Sequence, residues 1–281
     1  MRHAFRAPAR LFPGALLLLA APLLASLAAS AEPVGVVAAR VGPADGPSRL
    51  VYGLFNHPDD GRTRAPVVIL VHDEGGPDGR VGALAAWLGE QGFATLELDL
   101  ASPDDEALPV PANAGPAGRD LLDVLAAMAE LEAVDQGRIA LLGLGRGGRA
   151  ALHALALSDL STGPRPAAAV ALYPGCRALA AEGFALAPGY GVPALILAAG
   201  ADADDAAEAC AALRGTAPDR IALHVLPGAH YAWDADEMAG PSGVTAVPIA
   251  GRGLVRVRAD GWVADEARRR LRIFLRTVLT P

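Results

Sequence analysis

The chain has 281 residues, 52% of them hydrophobic and 5% aromatic, with 24 basic against 31 acidic side chains and a net charge of −7. This length fits one large domain or two small ones, and a chain so apolar is not intrinsically disordered. The acidic balance argues against a nucleic-acid partner, which needs a basic face.

The first thirty-one residues read as a targeting segment. Arg2, Arg6 and Arg10 precede an apolar run over residues 15–29, and Ala29-Ser30-Ala31 puts small residues at the −3 and −1 positions of a cleavage site. This is the pattern of a signal peptide over residues 1–31, cut after Ala31. The competing reading, an uncleaved anchor, is opposed by the short run and by Pro22 within it. No cysteine follows the run for lipid attachment, and no later stretch is long and charge-free enough to span a membrane. The expectation is an exported protein, periplasmic or secreted, without stable membrane insertion. Its mature part, residues 32–281, loses three arginines and no acid, which takes the net charge to −10. An oxidising compartment then makes a Cys176–Cys210 disulfide the expected state, with two buried thiols as the alternative.

The mature chain opens with two strands, over residues 34–41 and 49–55, joined by a Gly/Pro turn. Residues 65–71 form a continuous apolar run, as in a strand buried on both faces. Helical spacing follows over 81–91 and a strand over 93–98. Residues 103–116 are a Pro- and acid-rich loop. Residues 119–134 carry a strong amphipathic pattern, with Leu121, Leu122, Leu125, Met128, Ala129 and Leu131 on one stripe. Strands are predicted over 138–142, 167–172, 194–198 and 221–226, and helices over 149–157, 206–213 and 265–279. The Gly-rich segment 240–261 reads as a lid or an insertion carrying a hairpin. Strands alternating with helices at this spacing predict an α/β fold with a mostly parallel sheet covered by helices on both faces.

The most informative segment is Gly143-Leu144-Gly145-Arg146-Gly147-Gly148, which leaves a buried strand and enters a helix. Gly143, Gly145 and Gly148 satisfy G-x-G-x-x-G, the dinucleotide fingerprint. Its context is poor: several strands precede it, and the next strand ends Leu172-Tyr173-Pro174, with no acid to hold a ribose. No cofactor is expected. The segment also has the outline of the strand-to-helix elbow G-x-S-x-G.

With that elbow, the mature chain resembles the dienelactone hydrolase family of α/β hydrolases over nearly its whole length. Four further blocks carry the resemblance in order: His72-Asp-Glu-Gly75-Gly76, Tyr173-Pro-Gly-Cys176, Gly200-Ala-Asp202, and Pro227-Gly-Ala-His230-Tyr231-Ala-Trp233-Asp234. The resemblance implies a single α/β-hydrolase domain acting on small esters or lactones. It implies a nucleophile at the elbow, an acid at Asp202 (with Asp204 or Asp205 as alternatives) and an oxyanion loop near His72 and Glu74.

The departures matter more. The nucleophile slot is Gly145, and no Ser or Cys lies between residues 110 and 157. The histidine slot is Tyr231, with His230 one residue early. Covalent acyl transfer needs a hydroxyl or thiolate beside a base. Asp73 and Glu74 also put negative charge where an oxyanion would develop. The expectation is a catalytically impaired relative that binds a small ester, lactone or carboxylate. The alternative is an active hydrolase in which His230, oriented by Asp202, activates water.

The remaining candidates have blander readings. His72 is expected in a structural hydrogen bond, His153 in packing, and Asp99 as a turn cap. His57 and His224 stand apart from the motif blocks. Arg146 and Arg149 are expected in surface salt bridges, with an anion at the helix N-terminus as the alternative. Asp202, Asp204, Asp205 and His230 have no recognisable metal-ligand spacing, so no metal is expected.

Overall fold

The computed structural model describes residues 35–43, 45–100, 113–160, 162–187, 189, 191–235, 244–249 and 252–280. The predicted signal peptide and most of the acidic loop after Leu100 lie outside the described residues.

Eight strands form one sheet. In chain order they are β1 (Gly35–Val41), β2 (Arg49–Asn56), β3 (Ala65–Val71), β4 (Ala94–Asp99), β5 (Val134–Leu144), β6 (Ala168–Leu172), β7 (Ala194–Ala199) and β8 (Ile221–Leu226). Their spatial order is β1-β2-β4-β3-β5-β6-β7-β8, with β2 antiparallel to both of its neighbours, β1 and β4, and every other pair parallel. Every residue of β3, β6 and β7 is buried, which is why these segments read as unbroken apolar runs. Among the described residues, six α-helices pack against the sheet: α1 (Gly79–Glu90), α2 (Gly115–Ala129), α3 (Gly145–Ser158), α4 (Cys176–Ala181), α5 (Ala207–Thr216) and α6 (Gly261–Leu279). Alternate β3 side chains serve the two faces. Val68 and Leu70 meet α1 and α6, while Val67 and Ile69 share a core with α2 and α3. This is the expected α/β sandwich. Among the described residues, no helix is long and apolar enough to cross a membrane.

Several elements differ from the sequence expectation, among them β5 and α6, which each begin four residues early, and the helices α2, α3 and α4. Helix α2 begins at Gly115 rather than 119, because Pro116 sits in its first turn, where a missing N–H does no harm. It ends at Ala129 because residues 131–134 turn into a longer β5. Helix α3 starts at the elbow itself, four residues before the predicted start, through glycines that carry no helical signal. Helix α4 was not predicted; six residues are too few for a periodic pattern. The 240–261 segment does hold a hairpin, β9 (Thr245–Ile249) and β10 (Gly253–Val257).

The sheet order reverses at β3, so β3 and β5 are neighbours, with Val71 beside Gly143. The loops leaving β3, β5, β6, β7 and β8 therefore converge on one edge of the sheet. That edge, at a topological switch point, is where ligands of open α/β sheets bind.

Candidate functional site

The elbow forms as its glycines dictate. A Cβ on Gly143 would lie 2.1 Å from the Gly147 carbonyl carbon, and one on Gly147 would lie 2.3 Å from the His72 carbonyl oxygen. These glycines let strand, turn and helix backbones touch each other, which accounts for the G-x-G pattern without a dinucleotide. Gly145 sits at φ +48°, the left-handed geometry that glycine adopts with little strain.

The space above Gly145 is filled by the protein itself. A Cβ at 145 would meet the Tyr231 hydroxyl at 2.3 Å, Glu74 Oε2 at 2.9 Å and Asp73 Cβ at 3.0 Å. The buried Tyr231 hydroxyl lies 2.7 Å from Glu74 Oε2 and 3.1 Å from Asp73 Oδ2. Burial, then the negative charge of Glu74 and Asp73, holds its pKa well above the ordinary phenol range, so it stays protonated and donates. Glu74 Oε2 also accepts the Arg146 backbone N–H at 3.4 Å. That N–H, first after the elbow residue, is the group that serves an oxyanion in a working elbow. Here it faces a carboxylate.

The network extends inward. Asp73 accepts from Arg80 Nη2 at 2.6 Å and from the Gly75 N–H at 2.8 Å. Tyr173 donates to Asp234 at 2.8 Å and lies edge-on to both Tyr231 and Trp233. Burial raises the Asp234 carboxyl above its usual range. Among the described residues, the non-glycine residues with positive φ are Tyr173 (39°) and Ala232 (51°), both bordering this network, so backbone strain concentrates here. Arg149, expected at the surface, is instead buried: it donates to Glu182 at 2.9 Å, the Pro174 carbonyl at 2.8 Å and Glu74 at 3.3 Å. It starts one turn after the elbow, so its side chain points under the β6 loop rather than into water. Arg146 Nη2 reaches the Asn113 carbonyl at 3.4 Å.

The acid and histidine positions do not meet. Asp202 Oδ2 accepts from Arg252 Nη2 at 2.6 Å, and Asp204 accepts from Arg252 Nε. Arg252 comes from the hairpin, and its guanidinium carbon lies 5.0 Å from the Tyr231 ring centre. The His230 Nδ1 instead lies 3.2 Å from the Gly228 carbonyl oxygen, within its own turn. The alternative pairing of His230 with Asp202 is not formed: Tyr231 is the residue beside the elbow, and Asp202 pairs with Arg252. Asp205 is structural. Its carboxylate accepts three backbone N–H groups, from Gly175, Cys176 and Ala199, and burial pushes its pKa up to about 6.

The other described histidines stay outside this chemistry. His72 Nδ1 lies 2.7 Å from the Asp73 carbonyl and Nε2 3.3 Å from the Leu100 N–H, a structural pairing. His153 lies 2.9 Å from Glu182 and edge-on to Phe184. His57 meets the Pro58 carbonyl, and His224 meets Arg270. Cys176 and Cys210 form the expected disulfide. Asp205 lies beside them, but their sulfurs are bonded to each other, so the trio is no thiolate ligand set. Sequence reasoning missed Arg80 and Arg252. The only signal for Arg252 is its isolation: it is the first basic residue after Arg220, set between Gly251 and Gly253.

No family model and no curated protein matches the chain. Solved structures do. One is a dienelactone hydrolase-like promiscuous phosphotriesterase from metagenomic libraries: 18% identity, TM-score 0.60, covering 87% of this chain and 99% of that one. A putative dienelactone hydrolase from Klebsiella pneumoniae matches at 17% identity and TM-score 0.57, covering 86% and 98%. An esterase from Thermogutta terrifontis, in a form phosphoramylated by tabun, matches at 14% and 0.60, covering 89% and 98%. These likenesses establish the α/β-hydrolase fold, and two of the three carry the name of the family the sequence resembles.

Proposed function

We propose that the protein is an exported relative of the dienelactone hydrolases that has lost ester and lactone hydrolysis, its active-site space rebuilt as a buried tyrosine–carboxylate–arginine network. The observation that carries this reading is the Tyr231 hydroxyl, which stands 2.3 Å from where a side chain at 145 would begin. A serine could not occupy that point while Tyr231 does. Three further features support it. Glu74 presents a carboxylate to the oxyanion-donating N–H of Arg146. Asp202 is neutralised by Arg252 rather than orienting a base. His230 turns away toward Gly228, so the water-activating alternative lacks its pair. The N-terminal pattern around Arg2, Arg6, Arg10 and Ala31, together with the Cys176–Cys210 bridge, supports export.

Any small-molecule role falls beside the elbow rather than at its centre, which Tyr231 and Glu74 fill. The test is gain of function. Turnover of a p-nitrophenyl ester is compared for the wild type, Gly145→Ser, Gly145→Ser/Tyr231→His, and that double variant with Glu74→Gly. The proposal expects no turnover in the first two, a measurable rate in the double variant, and a further rise when the carboxylate leaves the oxyanion position. Comparable turnover in the wild type would contradict it.

A further inference from the structure

Arg252 is held in an unusual way for a residue at a hairpin turn. Its side chain is only 2% exposed. Two carboxylates grip it along adjacent edges, Asp204 at Nε and Asp202 at Nη2, and the Tyr231 ring lies under its planar face. Paired carboxylates with an aromatic face are a recognition set for a guanidinium: a planar fork of donors, weakly hydrated and able to stack. Beside this set runs an open groove of about 360 Å³, lined by Asp202, Asp204, Arg252, Ala246, Leu254 and Val255. Its walls suit an aliphatic stem.

The resident guanidinium is incompletely satisfied. Among the described residues, Arg252 Nη1 is buried and has no hydrogen-bond partner. It points toward the β6–α4 turn, where a Cβ on Gly175 would lie 3.5 Å away. A buried donor without an acceptor weakens the hold on its own group. The hairpin that delivers it is a separate two-stranded sheet, bridged to the site loop between Tyr231 and Val257. Ile249, Val255 and Val257 anchor it, while Leu254 is 77% exposed. Isolated two-stranded hairpins are marginal on their own.

We propose that Asp202, Asp204 and the face of Tyr231 form a guanidinium-binding site, occupied at rest by Arg252 and open to an alkylguanidinium, such as an arginine side chain of a partner, when the hairpin lifts. The exchange replaces one cation by another, so the charge balance of the groove, including Arg256 at its rim, is unchanged. The site shares Asp202 and Tyr231 with the network of the proposed function, but its occupancy is read by thermal stability and amide exchange rather than ester turnover, so the two readings fail separately.

The test uses the full chain and defined probes. Arg252→Gly should lower Tm by about 10 °C, as expected for breaking a buried ion pair. Millimolar ethylguanidinium should restore most of that loss, ethylammonium much less, and neither should act once Asp202→Asn is added. If Arg252→Gly does not fold, Arg252→Gln takes its place. In the wild type, N-acetylarginine methylamide should accelerate amide exchange over residues 245–257 and leave β5 unchanged. No recovery with ethylguanidinium, equal recovery in the Asp202→Asn background, or unchanged hairpin exchange in the wild type would each overturn the proposal.

Discussion

At position 145 the absence of a side chain fixes what the turn backbone and its neighbours can accommodate. Gly145 holds φ +48° at no steric cost, whereas a serine there is strained by about 1–3 kcal/mol. In this chain a serine also collides with the Tyr231 hydroxyl. Gly145→Ser should therefore destabilise by more than backbone strain alone, and part of that loss should vanish in a Tyr231→Phe background. Tyr231→Phe by itself strips Glu74 and Asp73 of a donor and should cost about 1–3 kcal/mol. A urea-denaturation double-mutant cycle measures the coupling. Strict additivity would mean that the two side chains do not share the space. The vacancy at 145 was legible in the sequence, because a glycine in a nucleophile slot is visible by alignment to the elbow pattern. What filled the vacancy was not. Tyr231 was readable as a displaced histidine, but its hydrogen bonds to Glu74 and Asp73 join residues over 150 positions apart, and no local pattern reports such a contact.

At the scale of elements, the β6–α4 and β7–α5 connections are pinned twice. The Cys176–Cys210 bridge joins α4 to α5 across 34 residues, and Asp205 clamps the same turns through three backbone N–H groups. Replacing both cysteines by alanine should cost roughly 3–4 kcal/mol on the chain-entropy model. Guanidinium denaturation of the oxidised protein against the variant measures it, and an unchanged midpoint would contradict a stabilising bridge. The apolar strand runs of β3 and β8 have the predicted ends, whereas the strongly amphipathic α2 was readable in place but not in its ends. Short or glycine-rich elements were not readable, as α4 and the start of α3 show. The hairpin was legible as punctuation by glycines. That its Arg252 reaches back to Asp202 was not, since such pairing is a property of tertiary approach and leaves no periodicity.

Across the whole molecule, a sheet covered on both faces forces charged groups near its edge to pair or to hold protons. Burial pushes the Asp205 carboxyl up to about 6, and burial also raises Asp234. Unfolded aspartate titrates near 3.9 (roughly). Between those values the folded chain holds a proton that the unfolded chain has released. The contribution of Asp205 is therefore fully present below the unfolded value and is lost as pH rises through about 6. Glu266, drawn down to about 2 by its hydrogen bonds to Arg269 and Arg270, acts in the opposite sense, but its exposure screens the effect. A carbon-detected NMR titration should place the Asp205 midpoint near 6; a midpoint near or below the unfolded value would contradict the cause assigned to it.

The fold itself was the most legible property, because alternating buried strands and amphipathic helices leave few other architectures. The proposed loss of catalysis rests on four residues from separate loops: Gly145, Tyr231, Glu74 and Asp202. The most direct test is p-nitrophenyl acetate hydrolysis by the wild type, followed through the pre-steady-state and into steady state beside His230→Ala. Both proteins should show no burst and a rate equal to buffer. A wild-type rate above buffer that falls on His230→Ala would contradict the proposed loss of catalysis.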